Sequence, residues 1–167
     1  AMARSAELLR GELDRFEALL ADLLEISRFD AGAAVLDVET TDLRRTVTKV
    51  VDATARLAEG KGSRVTVLDP GHPCEAAFDP RRIERVLRNL VVNAIEHGEG
   101  RPIEIKIERN DSAVAVAVRD HGVGLRPGEA GLVFNRFWRA DPARARTTGG
   151  TGLGLSIALE DARLHRG

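Results

Sequence analysis

Four short segments carry the amides, carboxylate, aromatic rings and glycines from which a nucleotide pocket can be built. They follow one another at residues 89–93, 120–124, 134–137 and 150–154. The first offers amide oxygens for a metal ion, and the second offers a carboxylate with flexible backbone. The third is an aromatic and basic cover, and the fourth is a glycine loop suited to phosphates. Each segment alone is weak evidence, but their succession predicts an ATP site because such a site needs all of these parts.

Asn89 and Asn93 stand four residues apart in a predicted helix, so both lie on one side of it, beside an apolar face. Asparagine is only a middling helix former, and two of them beside a core stripe suggest a function. We expect their carbonyl oxygens to bind Mg²⁺, which prefers oxygen ligands and keeps waters and phosphate oxygens around it. His97, one turn later, is placed to donate to a phosphate. The alternative is that both amides only bond to neighbouring backbone.

Asp120 ends an apolar strand, at the point where the chain leaves the predicted sheet. A carboxylate there can accept a hydrogen bond from the amino group of adenine. Gly122 and Gly124, on either side of Val123, let the backbone pass close to the base. The alternative is a simple turn at the end of a strand, where Asp and Gly are common.

Gly150, Gly152 and Gly154 alternate with Thr151 and Leu153 just before a predicted helix. Free amides and the helix dipole favour anions at such a place, by about 0.3–1 kcal/mol for the dipole. No GxxxxGK[ST] motif is present, and these glycines are not spaced as GxGxxG. The segment is therefore either a phosphate loop of another type or a flexible linker.

Residues 125–148 are rich in Gly, Pro, Ala and Arg and show little periodicity, which is typical of a mobile functional loop. Arg139 directly follows Phe137 and Trp138, whose rings would anchor it over a nucleotide. It is therefore the best candidate for contact with the terminal phosphate. The alternative is that each arginine from residue 136 onward in the loop is ordinary solvated charge; these arginines are Arg136, Arg139, Arg144 and Arg146.

Hydrophobic periodicity and capping residues predict the elements that position these segments. We expect helices over residues 4–30, 42–59, 80–97 and about 152–165, with strands over 35–39, 64–68, 75–78 and a hairpin over 103–120. Asp42 and Asp79 are the expected N-caps of the second and third helices. The last helix is expected to turn one apolar face inward, formed by Leu155, Ala158, Leu159 and Ala162.

The first helix carries a seam of mostly apolar residues with heptad spacing: Leu9, Leu13, Phe16, Leu20, Leu23 and Ser27. Six positions without a break favour half of a helical hairpin or bundle. The alternative is a surface helix that packs on its own domain.

Composition narrows the classes of partner. Lys and Arg number 25 against 26 Asp and Glu, so nucleic acid is not an expected partner. The single cysteine cannot form an internal disulfide and fits a reducing compartment. No apolar run approaches the roughly 18 residues of a membrane span, so we expect no direct membrane contact.

In their order, the four segments resemble the N, G1, F and G2 boxes of the ATP-binding catalytic domain of bacterial sensor histidine kinases. These belong to a wider ATPase superfamily that includes DNA gyrase and Hsp90. Residues 12–16 and 24–28 also resemble the second helix of the dimerisation and histidine-phosphotransfer hairpin, especially in actinobacterial members. The resemblance implies part of that hairpin over residues 1–34 and the catalytic domain over 35–167, without its last two strands.

What the resemblance implies is an α/β fold of the Bergerat type, a two-layer α/β sandwich with a mixed sheet covered by three helices. Asn93 would be the principal Mg²⁺ ligand with Asn89 beside it, Asp120 would recognise adenine, and Arg139 would contact the terminal phosphate. Residues 125–148 would form a lid. Asn89 replaces the glutamate that activates water in gyrase-like relatives, and an amide cannot act as that base.

The resemblance further implies a protein-histidine kinase in the cytoplasmic part of a sensor anchored in the plasma membrane. Its partners would be a second copy of the kinase, a histidine-bearing helix and the receiver domain of a response regulator. None of the four histidines stands in a phosphoacceptor context, so we expect the acceptor helix to lie outside this chain. The alternatives are a non-catalytic ATP-sensing module and a gyrase-type ATP hydrolase.

Overall fold

Helices and strands alternate along the chain, and the computed structural model describes residues 2–140 and 150–167. A 3₁₀ turn at Glu129–Gly131 is the regular structure found within the predicted lid, as far as the structure describes it. The helices and strands are α1 (Met2–Asp30), β1 (Glu39–Asp42), α2 (Leu43–Lys61), β2 (Val65–Leu68), β3 (Glu75–Phe78), α3 (Pro80–His97), β4 (Ile103–Arg109), β5 (Val114–Arg119) and α4 (Gly154–Leu164).

The main sheet has the strand order β2-β4-β5 and mixes directions, because β2 runs parallel to β4 while β4 and β5 form an antiparallel hairpin. Ile103, Ile105 and Ile107 alternate along β4, and all three are almost completely buried. They share one core with the apolar faces of α2 and α3. The α/β sandwich with a mixed sheet is thus confirmed, and a separate antiparallel pair, β1 and β3, lies beside it.

Both predicted N-caps are confirmed. Asp42 accepts a hydrogen bond from the backbone N–H of Arg44 at the start of α2. Asp79 accepts from the N–H groups of Arg81 and Arg82 at the start of α3, and it also accepts from the N–H of Asp37. These caps satisfy amides that the first turn of a helix leaves without partners.

The low pKa of Asp42 predicts that the protein loses stability in acid. Hydrogen bonds from the Arg44 side chain lower its pKa from 3.8 to about 2. A carboxyl with a depressed pKa stabilises the fold above its unfolded-state pKa, and that contribution disappears as the pH falls from about 4 to about 2. We therefore expect Asp42→Asn to lower the free energy of unfolding by about 1–2 kcal/mol at neutral pH. In urea titrations this deficit should vanish near pH 2; a deficit that stays constant with pH would contradict the assignment.

Two predicted details are wrong. Strand β1 occupies Glu39–Asp42 rather than residues 35–39, because its pairing with Glu75–Phe78 fixes its position. Helix α4 turns a different face inward, since its buried residues are Ser156, Ile157, Ala158 and Asp161. Of the face predicted from apolar periodicity, only Ala158 is buried, because a charged side chain, Asp161, takes the most enclosed position of the helix.

The two ends of α1 have different environments. The apolar seam along its first two thirds is exposed, with Leu9, Leu13 and Phe16 each more than 60% accessible. The last two turns pack on the rest of the molecule, where Ile26 joins a second small core with Leu153 and Ile157. The described helices include none that is long and apolar enough to cross a membrane.

Candidate functional site

The first predicted segment meets the glycine loop directly. Asn89 Nδ2 donates to the carbonyl oxygen of Gly154 over 2.9 Å. A Cβ added at Gly154 would lie only 3.1 Å from Asn89 Oδ1, so any larger residue there would press on this amide. The hydrogen bond to backbone that we considered as the alternative role of Asn89 therefore exists. Because it uses the amide nitrogen, Oδ1 of Asn89 remains an acceptor.

Asn93 lies one turn further along α3, and its half-buried amide has no hydrogen bond to the described part of the chain. In residues 2–140 and 150–167, no cluster of three or more His, Cys, Asp or Glu residues is arranged to hold a metal. A cation bound beside Asn89 and Asn93 would meet amide oxygens, supplemented by water and phosphate oxygens. That donor set suits Mg²⁺, so the residues present fit this ion.

The second segment packs against the end of α3. Asp120 Oδ1 accepts from the N–H of Gly122 over 2.9 Å, while Asp120 itself is exposed. A Cβ at Gly122 would come within 2.1 Å of the carbonyl oxygen of His97. Glycine is therefore required at position 122 because the end of α3 approaches it so closely. His97 takes part through its backbone, and its side chain is exposed.

The rest of the second segment is open to solvent. Val123 is 66% accessible. Gly124 has a positive φ of 70°, and a Cβ added there would meet no other atom within 4 Å. A positive φ favours glycine at position 124, even though a Cβ there would meet no other atom. This segment therefore presents one carboxylate and an exposed, sharply turned backbone.

The third and fourth segments are joined by backbone contacts. The N–H of Phe137 donates to the carbonyl of Gly152 over 2.9 Å, and both residues have positive φ. Arg139 Nη1 donates to the carbonyl of Gly150 over 2.7 Å. Trp138 is half-buried, whereas the ring of Phe137 is largely exposed. The predicted candidates Arg144 and Arg146 lie outside the described residues.

The structure thus connects α3 to the glycine loop, α3 to the Asp120 turn, and the aromatic segment to the glycine loop. The sequence profile of the family described as "Histidine kinase-, DNA gyrase B-, and HSP90-like ATPase" matches residues 78–167, which include all four segments. The chain belongs to this family.

Comparison with individual proteins agrees with this assignment. The chain is 58% identical over 166 residues to the sensor histidine kinase MtrB of Mycolicibacterium paratuberculosis, covering 99% of this chain and 29% of that protein. It is 38% identical over 163 residues to the histidine-protein kinase AfsQ2 of Streptomyces coelicolor, covering 98% of this chain and 29% of AfsQ2. This ATPase-family chain therefore spans less than a third of the length of these relatives.

A solved structure of full-length ShkA in complex with AMPPNP is similar to the chain in fold. The TM-score is 0.82 at 26% sequence identity, and the match covers 98% of this chain and 34% of ShkA. Because this match includes nearly the whole chain, it extends the likeness beyond the ATPase-family region to α1.

A buried ion cluster joins α3 to α4 and to α1, and the sequence does not predict it. Arg82 and Arg85 of α3 both donate to Asp161 of α4, at 2.7–2.8 Å, and both also donate to Glu25 of α1. Burial opposes the charge on Glu25 most strongly, but hydrogen bonds from Arg85 and Arg82 outweigh it, so its pKa lies below the usual value. The cluster fixes α3, which carries the two asparagines, against α4, which begins at the glycine loop.

A separate depression of about 490 Å³ contains none of the predicted site residues. It is lined by strand and turn residues that include Asp69, His72, Lys106 and Arg109. We therefore assign the candidate site to the four connected segments and not to this depression.

Proposed function

We propose that this chain is the ATP-binding catalytic part of a sensor histidine kinase. In this proposal, the γ-phosphate of Mg-ATP passes to a histidine on another helix of the kinase and then to an aspartate of a response regulator. The observation that carries the proposal is the contact between Asn89 and Gly154. It brings the side-chain amide of Asn89 to the start of α4, where free N–H groups and the helix dipole favour phosphate.

The role proposed for each segment follows from the chemistry of its residues. Asp120 accepts from the adenine amino group, Asn93 and Asn89 hold Mg²⁺, and the loop 150–154 receives the phosphates. Arg139 and the neighbouring Phe137 and Trp138 cover the nucleotide. When bound, Mg²⁺ neutralises phosphate charge, and the protein contributes positioning more than covalent chemistry. Since Asn89 cannot take a proton from water, transfer to a protein is favoured over hydrolysis.

The exposed seam of α1 supports the proposed domain division, with residues 1–34 as a helix of a dimerisation hairpin and 35–167 as the catalytic domain. Leu9, Leu13 and Phe16 expose large apolar surfaces at heptad spacing. In an intact kinase such a seam would be covered by the other helices of a homodimeric bundle. We also propose that this unit faces the cytoplasm in a membrane-anchored sensor.

Calorimetric titration with ATP tests the nucleotide site, and labelled ATP with a separately made acceptor-helix domain tests the transfer. We expect saturable binding followed by label on the acceptor histidine. Binding without transfer would favour an ATP-sensing module instead. Appreciable phosphate release by the chain alone would favour a gyrase-type hydrolase. No saturation at millimolar ATP with a folded sample would overturn the proposal.

Asn93→Ala should remove the effect of Mg²⁺ on ATP affinity, because its amide would supply the principal protein ligand. The measurement is a pair of ATP titrations, with Mg²⁺ and with EDTA. Arg88→Ala, at an exposed position on the same helix, is the matched control and should keep the metal effect. An undiminished difference between the two titrations in Asn93→Ala would place the ion elsewhere.

A further inference from the structure

The last turns of α1 cover the glycine loop with a carboxylate. Thr151 Oγ1, in the middle of the loop, donates to Asp22 Oδ2 over 2.8 Å. The same hydroxyl accepts from the N–H of Leu153 over 3.3 Å, so it links α1 to the backbone of the loop. Ile26, one turn after Asp22, packs on Leu153 in the small second core. The glycine loop is thus held by α1 through both a polar and an apolar contact.

A second carboxylate of α1 holds the aromatic segment. Asp30 accepts two hydrogen bonds from the Arg136 guanidinium, at 2.6 and 2.9 Å. Arg136 directly precedes Phe137, whose N–H donates to Gly152 of the loop. The end of α1 therefore touches both segments that would close over the phosphates.

Asp22 differs from the other acidic residues on this end of α1 because the structure shows no arginine paired with it among the described residues. Glu25 and Asp30 are paired with arginines. Asp22 forms no ion pair with the part of the chain that the structure describes, and its contact is the neutral hydroxyl of Thr151. Among the described residues, no ion pair balances its negative charge, and it lies at a loop whose amides and helix dipole favour anions.

We propose that docking of α1 and binding of ATP oppose each other through Asp22. The inference rests on the proposed function, because it needs phosphates at residues 150–154. Like charges a few ångströms apart repel, and this repulsion must be relieved when the phosphates enter. Binding of the nucleotide therefore loosens the end of α1, and by linkage, firm docking of α1 lowers the affinity for ATP. The Asp22 carboxylate and the phosphates of ATP thus compete for the loop 150–154.

Asp22→Asn tests the inference, because asparagine still accepts from Thr151 but carries no charge. By calorimetry at low salt, we expect the variant to bind ATP about three- to tenfold more tightly than the parent chain. The gain should shrink at high salt, where the screening length falls from about 10 Å at 0.1 M to about 3 Å at 1 M. Asp14→Asn, the same change at an exposed position two turns earlier, is the matched control and should bind ATP like the parent.

A second measurement follows α1 itself. Hydrogen exchange at the amides of residues 19–30 should become faster when ATP is added to the parent chain. The change should be smaller in Asp22→Asn, where less repulsion is relieved.

The outcomes separate this inference from the proposed function. Unchanged or weaker ATP binding by Asp22→Asn, an equal gain in Asp14→Asn, a gain independent of salt, or slower exchange in α1 with ATP would overturn the competition alone. A parent chain that is folded but does not bind ATP would overturn the proposed function, and this inference with it.

Discussion

Asp161→Ala is expected to lower the free energy of unfolding by about 3–5 kcal/mol, the usual cost of removing one partner from a buried ion pair. Asp161 is completely buried and accepts three hydrogen bonds from Arg82 and Arg85. Without it, Glu25 would be the one carboxylate shared by both arginines, and part of their charge would stay enclosed without a partner. Urea unfolding followed by circular dichroism measures the change.

Asp52→Ala is the matched control, since Asp52 is exposed on α2 and has no hydrogen bond or ion pair with the described residues. It should change the stability by less than about 0.5 kcal/mol. Asp161→Asn should fall between the two, because the amide keeps one acceptor and the size of the side chain. If Asp161→Ala behaves like Asp52→Ala, water reaches the cluster and its role in fixing α3 against α4 is wrong.

Asp120→Asn is expected to weaken ATP binding by about 1.5–3 kcal/mol, the scale of a hydrogen bond to a charged group. This corresponds to an affinity loss of roughly 10- to 150-fold. The asparagine oxygen can still accept from the N–H of Gly122, so the turn is preserved. Its NH₂ group would then point toward the adenine amino group, where donor would meet donor.

Calorimetry with ATP on folded protein measures this loss. Asp111→Asn, in the exposed turn between β4 and β5, removes the same charge from the same hairpin and should leave the affinity unchanged. Equal affinity of Asp120→Asn and the parent chain would mean that Asp120 does not contact the bound nucleotide.

Features that depend on a few neighbouring residues were predictable from the sequence. Asp42 and Asp79 cap helices because each lies next to the free amides it satisfies. The isoleucines of β4 alternate with charged residues, and this period of two is enough to assign one buried face. The four segments were recognised for the same reason, since each one is a short run.

Features that depend on distant residues were not predictable in this way. The face of α4 was misassigned because Asp161 is buried by arginines 76 and 79 positions earlier in the chain. Likewise, the heptad seam of α1 gave no sign that Asp22 would meet Thr151, 129 positions away. The sequence of an amphipathic helix alone does not predict a charged residue at its most buried position. The burial of Asp161 can be predicted only if its arginine partners are known.

Helix α1 is unbroken over 29 residues and contains no proline, so it is a rod about 43 Å long at 1.5 Å per residue. The end of this rod contacts two different loops, because Asp22 accepts from Thr151 and Asp30 accepts from Arg136. A displacement of this helix would therefore act on both loops at once.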